Sequence, residues 1–209
     1  MFGLSTERLI SRLIVLVIAF SVHEFAHAWT ADQLGDDTPR LQGRLTLNPL
    51  AHLDPLGSIM LLIAGFGWAK PVLVNPYAVR RRTPAGMMLV AVAGPFSNLL
   101  LAILGAIPFR AGLISANFSG SFLSALFLEF IWINLILLFF NLIPIFPLDG
   151  EKVAEYFLPP SGQDFLYRLR PYGIYILMGL ILLGNFGSMD ILGFLIATPA
   201  SSVLQLLVF

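Results

Sequence analysis

The chain has 209 residues, of which 57% are hydrophobic and only 11% are charged, and its mean hydropathy is +0.86. Soluble domains carry about 25% charged residues, so this composition excludes an ordinary soluble protein and indicates a membrane protein. Twelve basic and twelve acidic residues balance, which argues against a nucleic-acid partner. Since the chain has no cysteine, thiolate sites and disulfides are excluded, and any metal must be bound by His, Asp or Glu.

Three stretches are long and apolar enough to cross a bilayer, which takes about 20 residues. They are residues 9–34, 84–107 and 122–142, the second of them interrupted in its middle by Gly94 and Pro95. Residues 172–183 and 191–209 are predicted to form one short and one longer hydrophobic segment. The predicted fold is an all-α polytopic membrane protein with about five or six hydrophobic segments.

The region between the first two spans, residues 35–83, is predicted to contain a re-entrant or β-like element. Residues 57–66 are apolar, but a helix of that length covers about 15 Å, roughly half of the hydrocarbon thickness. We therefore expect them not to span. In residues 67–82, the alternation of Val72 and Val74 favours a short strand at the membrane surface. Residues 35–55 are rich in Gly, Pro, Asp and Asn and must lie outside the hydrocarbon or inside protein.

Orientation is predicted from the basic residues, because cytoplasmic loops are enriched in Lys and Arg. With the N-terminus outside, nine of the twelve basic residues fall in the cytoplasmic loops 35–83 and 150–171. Residues 23–27 and Asp149 then both lie toward the cytoplasmic ends of their helices. The two polar clusters can therefore meet at one depth.

The first span carries His23-Glu24-Phe-Ala-His27. Residues i and i+4 share a helix face, so both imidazoles can face one ion while Glu24 reaches a water beside it. Catalytic zinc keeps three protein ligands and one open position, and Glu24 would then act as general base. This pattern also arises by chance in helices, but ionisable groups inside a span cost roughly 2.5 to 3.5 kcal/mol each and usually mark a site.

Asp149 is the best candidate for the third ligand. Pro144 and Pro147 stop the third span from continuing as a helix, and broken backbone at membrane depth is tolerated only inside protein or beside a water-filled cavity. A catalytic site needs such a cavity. Glu129 is less suitable because it lies on the far side of the same span, and Asp54 because it lies in the polar loop.

Four motifs together resemble the site-2 protease family of intramembrane zinc metalloproteases. They are HEFAH at 23–27, NPLAHLDPLG at 48–57, GPFSN at 94–98 and NLIPIFPLDG at 141–150. All lie within residues 20–150, and no PDZ-like or CBS-like domain is visible, so the chain resembles the small prokaryotic branch that has only the membrane core. We expect one membrane-embedded metallopeptidase domain over residues 1–209, with 172–209 as additional hydrophobic segments, in a prokaryotic cell membrane.

The resemblance implies one Zn²⁺ per chain, bound by His23, His27 and Asp149, with Glu24 as the base that activates water. It also implies the expected function, which is hydrolysis of peptide bonds in or near transmembrane segments, as in regulated intramembrane proteolysis. The expected substrate is a transmembrane protein or a signal peptide within the lipid bilayer. A homo-oligomer and a regulatory membrane partner are both left open.

Two asparagines are assigned to substrate binding by the same resemblance. Asn141 would contact the substrate backbone or hold the oxyanion, for which a neutral amide donor is suited. A cap at the end of the third helix is an equally good interpretation of Asn141. Asn98 would orient substrate or brace the active-site helix, and packing beside Gly94 and Pro95 is at least as well supported, since small residues let helices approach closely.

Two other polar residues carry open roles. His52 could assist the metal site, but a loop histidine that bonds to backbone and fixes the turn with Asp54 is favoured. Glu129 could line a water path or pair with a basic group, and we favour a position near the outer interface, with Trp132 as an aromatic anchor.

The substrate poses a physical problem, because a transmembrane helix hides its carbonyl groups in internal hydrogen bonds and must unwind before attack. Residues 67–76, if strand-like, could pair with the extended substrate by β-addition.

The alternative functions are a membrane metal-ion transporter or a non-proteolytic membrane metal-binding protein, including an inactive relative that serves in assembly. Transport needs several ligand sites along a path from both sides, whereas this sequence offers one compact cluster.

Overall fold

The computed structural model describes residues 6–64, 67–115, 122–186 and 190–209, and within these ranges the chain is helical and forms no strand. The all-α prediction is therefore confirmed. The helices are α1 (Thr6–Gln33), α2 (Thr38–Leu41), α3 (Pro49–His52), α4 (Pro55–Ala64), α5 (Pro76–Arg82), α6 (Gly86–Arg110), α7 (Phe122–Asn141), α8 (Asp149–Phe157), α9 (Pro160–Leu169), α10 (Gly173–Phe186) and α11 (Thr198–Val208).

The described residues contain four helical stretches that are long and apolar enough to cross a membrane. Three of them, Leu9–Gln33, Gly86–Arg110 and Phe122–Asn141, agree closely with the predicted spans. The first ends where Gly35 adopts φ +87°, a left-handed conformation that closes a helix without steric cost in glycine. The second is not interrupted, because α6 continues through Pro95 and Pro108.

The C-terminal third differs from the prediction. The fourth candidate span is Pro160–Gly184, so it begins inside the region that was predicted to be a polar connection. Here α9, a 3₁₀ turn at Arg170–Tyr172 and α10 follow one another without a break. The last apolar stretch, Gly193–Val208, is the shorter one and includes a π-helical turn at Gly193–Ala197. The predicted order of one short and one longer segment is therefore reversed.

Helix α6 lies at the centre of the bundle, where it contacts α1, α7 and α8. Its face toward α7 is lined by small residues, including the buried Ala102 and Ala106. At Gly105 an added Cβ would lie 2.8 Å from the Phe130 ring, so the two helices approach as closely as glycine allows. This close packing sets the distance between the polar residues of α6 and those of its neighbours.

An ion pair joins α1 and α7. Arg12 Nε donates to Glu129 Oε1 at 2.5 Å, and both side chains are about a third exposed or less. Of the roles considered for Glu129, pairing with a basic group is the one that the structure shows. The pairing lowers the free-energy cost of placing each charged side chain among apolar helices.

After α4, the chain between α3 and α5 comes back into contact with the end of α3. Helix α4 has only ten residues, as expected for a segment that does not span. On the return, Lys70 N donates to His52 O at 2.7 Å, and Ala69 forms an isolated antiparallel bridge with Leu53. The Trp68 carbonyl packs against Gly57 so closely that a Cβ there would collide with it. The predicted strand at Val72 and Val74 is not formed, and buried side chains hold this segment instead.

Candidate active site

Three polar atoms converge where α1, α6 and α8 meet. His23 Nε2 and His27 Nε2 are 3.0 Å apart, and Asp149 Oδ2 lies 3.2 Å from the first and 3.3 Å from the second. The histidines share a face of α1, and Asp149 reaches them as the first residue of α8. Ligand atoms around a tetrahedral zinc are separated by about 3.3 Å, so this triangle has the size that such an ion requires.

When both rings are neutral, as in a metal ligand, the hydrogen bonds on their far sides place the N–H at Nδ1 and leave the converging atoms without protons. His23 Nδ1 donates to Asn98 Oδ1 and His27 Nδ1 donates to the Val90 carbonyl, each at 2.7 Å. A neutral imidazole carries one N–H, so in both rings Nε2 presents a lone pair. Asp149 Oδ2 is buried and has no hydrogen-bond donor among the described residues. Three acceptors in contact repel one another unless a cation lies between them, so the residues fit a metal ion.

Gly94 provides the space that such an ion needs. Its Cα faces the two rings, and an added Cβ would collide with His27 Nε2 and lie 2.6 Å from His23 Nε2. Gly94 therefore leaves space beside both Nε2 atoms that any other residue would fill. The GPFSN motif thus contributes an empty position beside the histidines as well as Asn98, and Gly94 had been considered only for helix packing.

Glu24 is buried beside the histidines and is held by the returning segment. Its Oε2 accepts a hydrogen bond from Val72 N at 3.2 Å. The segment is fixed on either side of Val72 by two other buried side chains. Arg44 donates to the carbonyls of Lys70 and Pro71, and Asp36 Oδ2 accepts from Asn75 N at 2.7 Å. The backbone over residues 70–75 is therefore held in place next to the candidate base.

The start of α8 is positioned by close backbone contact. A Cβ at Gly150 would collide with the Leu142 carbonyl and lie 2.5 Å from the Ile143 oxygen, so only glycine can follow Asp149 here. Farther along the helix, Arg170 Nε donates to Glu151 Oε1 at 2.7 Å. These contacts fix the helix that presents the third candidate ligand.

Glu155 ties α8 to two other elements. It accepts from Arg80 of α5 at 3.0 Å and from the Tyr167 hydroxyl of α9 at 2.7 Å. Burial alone would raise the pKa of the Glu155 carboxyl, but the hydrogen bonds from Tyr167 and Lys152 and the charges of Lys152 and Arg80 outweigh it and hold that pKa below its usual range. Glu155 therefore stays ionised and holds α8 against α5 and α9.

The two asparagines predicted to bind substrate are placed differently. Asn98 is fully buried, and its amide contacts His23 on one side and Asn134 on the other, which fits its alternative role of bracing the active-site helix. Asn141 donates through Nδ2 to the Leu137 carbonyl at 3.0 Å, one turn back in α7, which fits its alternative as a helix-end residue. Substrate contact by either residue stays a prediction.

The remaining polar residues of the motifs stabilise turns. His52 Nε2 donates to the Thr46 carbonyl at 2.7 Å, the loop role that was favoured. Asp54 does not bond to His52 but accepts from Gly57 N at 2.8 Å, at the start of α4. Neither residue belongs to the group that could hold the metal, which consists of His23, His27 and Asp149 among the described residues.

Sequence reasoning missed three residues that support the site. Asn134 gave a detectable signal, since it is an amide in the middle of an apolar span, where polar groups usually have a purpose. Arg44 and Asp36 lie in a polar loop where charged residues are ordinary, so no sequence pattern distinguishes them. Only their burial in the fold shows that they hold residues 70–75.

Comparison with known proteins identifies the family. Residues 108–184 match peptidase family M50. A Bacillus subtilis (strain 168) protein named "Putative zinc metalloprotease YwhC" is 41% identical over 182 residues, which cover 83% of this chain and 82% of that protein. A Mycolicibacterium smegmatis protein named "Putative zinc metalloprotease Rip2" is 34% identical over 180 residues, 80% of this chain and 67% of that protein. No solved structure matches the chain.

The extent of these matches is sufficient to assign the family. The Bacillus relative is similar over most of its own length, and the family match covers the turn that carries Asp149 and the end of α7 that carries Asn141. The structure adds helices that are able to span a membrane and a metal-sized group of ligands between them. The chain is a member of peptidase family M50, the site-2 proteases, which are intramembrane metalloproteases.

Proposed function

We propose that this protein is an intramembrane zinc metalloendopeptidase of the HExxH type, which cleaves peptide bonds in or near transmembrane segments. The observation that carries the proposal is the convergence of His23 Nε2, His27 Nε2 and Asp149 Oδ2 within 3.3 Å of one another, with Glu24 beside them. The set lies among apolar helices, where unpaired polar groups are costly. Relatives named as zinc metalloproteases support zinc as the metal.

The proposed roles follow from the chemistry of each side chain. His23, His27 and Asp149 would hold the ion, which when bound supplies a Lewis acid for water and for the peptide carbonyl. The Glu24 carboxylate takes a proton as water attacks the carbonyl carbon. It then passes that proton to the amide nitrogen as the C–N bond breaks, and the second proton of the water leaves the new carboxyl group for the amine, which gives a carboxylate and an ammonium group. The Val72 N–H bond to Oε2 leaves Oε1 to move this proton.

Membrane topology is part of the same proposal. The loops that carry Arg44, Lys70 and Arg80 to Arg82 would face the cytoplasm, with the N-terminus outside, in a prokaryotic cell membrane. Asp149 and the histidines then lie toward the cytoplasmic side. The bacterial relatives support a prokaryotic membrane.

The metal site is tested by the zinc content of the purified, detergent-solubilised protein and its cleavage of a single-span test substrate. We expect nearly one zinc per chain in the wild type, and loss of both zinc and cleavage in Asp149→Ala. Asp164→Ala, an exposed carboxylate on α9, is the matched control and is expected to behave as wild type. Absence of metal from every form would overturn the site. Bound zinc without cleavage across a substrate panel would favour a non-proteolytic metal-binding protein.

The segment over residues 70–75 is proposed to pair with unwound substrate. Its backbone is held next to Glu24 by side chains and is not part of a sheet, so an extended peptide could add along it. Pairing by β-addition depends on backbone N–H groups, and the N–H of Val74 makes no hydrogen bond within the described residues. The Val72 N–H is already used by Glu24.

Val74→Pro is therefore the sharper test of pairing, since Val72→Pro would also disturb the base. We expect cleavage to fall about tenfold, as for loss of one or two backbone hydrogen bonds, with zinc content unchanged. Val74→Ala keeps the N–H while shortening a side chain that packs against the buried Val79 cluster, and controls for packing. If Val74→Pro is folded and cleaves as fast as Val74→Ala, this segment does not pair with substrate.

A further inference from the structure

We propose that Asn134 is a positioning residue of the metal site, which orients the Asn98 amide and so keeps the His23 Nε2 lone pair facing the metal. The inference deepens the proposed function and rests on it, since it concerns the same three ligands. It assigns a role to a buried amide on α7 that no motif includes. Neither Asn134 nor Phe130, its partner, touches the ligand group itself.

The structure links Asn134 to His23 through a chain of hydrogen bonds. Asn134 Nδ2 donates to the Phe130 carbonyl at 2.9 Å. Asn98 Nδ2 donates to Asn134 Oδ1 at 2.9 Å. His23 Nδ1 donates to Asn98 Oδ1 at 2.7 Å. The chain therefore runs from a backbone carbonyl of α7, across α6, to a candidate ligand on α1.

The first member of this chain determines the direction of all the others. A backbone carbonyl can only accept, so Asn134 must turn its NH₂ toward Phe130 and its oxygen toward α6. Asn98 must then donate to that oxygen, which turns its own oxygen toward His23. The N–H of His23 is thereby drawn to Nδ1, because only a donor satisfies the oxygen it faces. Nε2 is left with a lone pair.

The two histidines differ in the acceptor that holds the N–H at Nδ1. His27 Nδ1 donates to the Val90 carbonyl, a backbone acceptor whose orientation is set by α6. The acceptor for His23 is a side-chain amide, which could rotate by 180° and present its NH₂ instead. Such a rotation would favour the tautomer with N–H at Nε2, and a protonated Nε2 cannot bind a metal. His23 is therefore the ligand that requires a second residue to hold its acceptor, and Asn134 is placed to do so.

Burial prevents water from replacing these bonds. Asn98 and Asn134 are each 0% exposed, and both belong to helices that could span a membrane. In such surroundings a reversed Asn98 would place its oxygen against the oxygen of Asn134, with no solvent to relieve the conflict. Each amide can make all of these hydrogen bonds in one orientation only. The folded bundle therefore fixes which group donates and which accepts along this series of hydrogen bonds.

Substitutions at residue 134 separate positioning from ordinary packing. Asn134→Leu keeps the approximate shape but removes the acceptor for Asn98, so zinc should bind about 10 to 100 times more weakly. Asn134→Asp keeps an oxygen that accepts from Asn98 in either protonation state, so its zinc affinity should remain close to wild type. A purely structural role predicts the reverse order, because an apolar residue suits a membrane helix and a carboxylate does not.

The measurement is competition for zinc between a chelator and each purified, detergent-solubilised variant, with thermal unfolding of the metal-free protein as the check on folding. If Asn134→Leu does not fold, Asn134→Ser replaces it, because the shorter hydroxyl can bond to the Phe130 carbonyl but does not reach Asn98. Its affinity should also fall. Equal zinc affinity in the wild type and in folded Asn134→Leu or Asn134→Ser would overturn the inference.

A second readout is independent of activity and of bound metal. ¹⁵N NMR of histidine-labelled, metal-free protein distinguishes the two neutral imidazole tautomers. The wild type and Asn134→Asp should hold His23 with its hydrogen on Nδ1, and Asn134→Leu should populate the Nε2–H form. An unchanged His23 tautomer in Asn134→Leu would also overturn the inference. Failure of the wild type itself to bind zinc would instead contradict the proposed function.

Discussion

Gly94→Ala is expected to remove the metal from the site and cleavage with it, although the change adds only one methyl group. The new Cβ would collide with His27 Nε2 and lie 2.6 Å from His23 Nε2. The methyl group would thus fill the space beside both nitrogens that the proposed metal site uses. We expect at least about a 100-fold loss of zinc affinity, because two of three ligands are blocked at once.

Local adjustment does not relieve this collision. Helix α6 is bonded to both rings, through the Val90 carbonyl to His27 and through Asn98 to His23, so the helix and the histidines are held at their present separation. Overpacking of a closely packed interior costs typically 1–3 kcal/mol, which is small enough for the bundle to stay folded. Loss of the metal, more than loss of the fold, is therefore the expected result.

Zinc content and thermal unfolding in detergent test this prediction together. Gly179→Ala, in the apolar helix α10, is the matched control, because a Cβ at Gly179 meets no atom within 4 Å. This control should retain zinc and cleavage. A folded Gly94→Ala protein that still carries one zinc per chain would show that the ion lies elsewhere.

Glu24→Gln is expected to retain zinc and to lose about 10²- to 10⁴-fold in cleavage rate. The glutamine oxygen can still accept the Val72 N–H, so the local structure should persist. A neutral amide cannot take a proton from water, so the step assigned to the Glu24 carboxylate is removed. The three ligand atoms are untouched.

The same variant separates a protease from the alternative functions. A membrane metal-ion transporter would be affected chiefly if its ligands or ion path changed, so Glu24→Gln should leave metal movement largely intact. The measurement is the cleavage rate of a single-span substrate together with zinc content, with Asp164→Asn as a control on an exposed carboxylate. Full cleavage by Glu24→Gln would contradict the role of Glu24 as general base.

Local sequence patterns were sufficient for the helices and for half of the site. Apolar runs of about 20 residues must become helices in a bilayer, since no other segment satisfies its own backbone there, and α1, α6 and α7 follow the predicted limits. The i, i+4 spacing of His23 and His27 likewise places two imidazoles together on any helix. Both conclusions depend on neighbours in the chain alone.

Predictions were weaker where distant residues decide the local structure. The alternation of Val72 and Val74 suggested a strand, but no strand pairs with this segment in the described structure. Arg44 and Asp36 hold it in place from a loop that is distant in the sequence. The first part of the fourth span, residues 160–171, was predicted as a polar connection because it carries Arg168 and Arg170, and Arg170 instead bonds to Glu151.

The sequence by itself therefore determined the membrane class, three spans, the family resemblance and the residue types that can bind a metal. Only the tertiary structure decided that Asp149 lies within 3.3 Å of both histidines, that Gly94 leaves room between α6 and the rings, and that Asn134 reaches His23 through Asn98. The physical reason is the distance along the chain over which each interaction acts. Helix formation and i, i+4 geometry act over a few residues, whereas interatomic distances between helices depend on how closely whole helix faces pack.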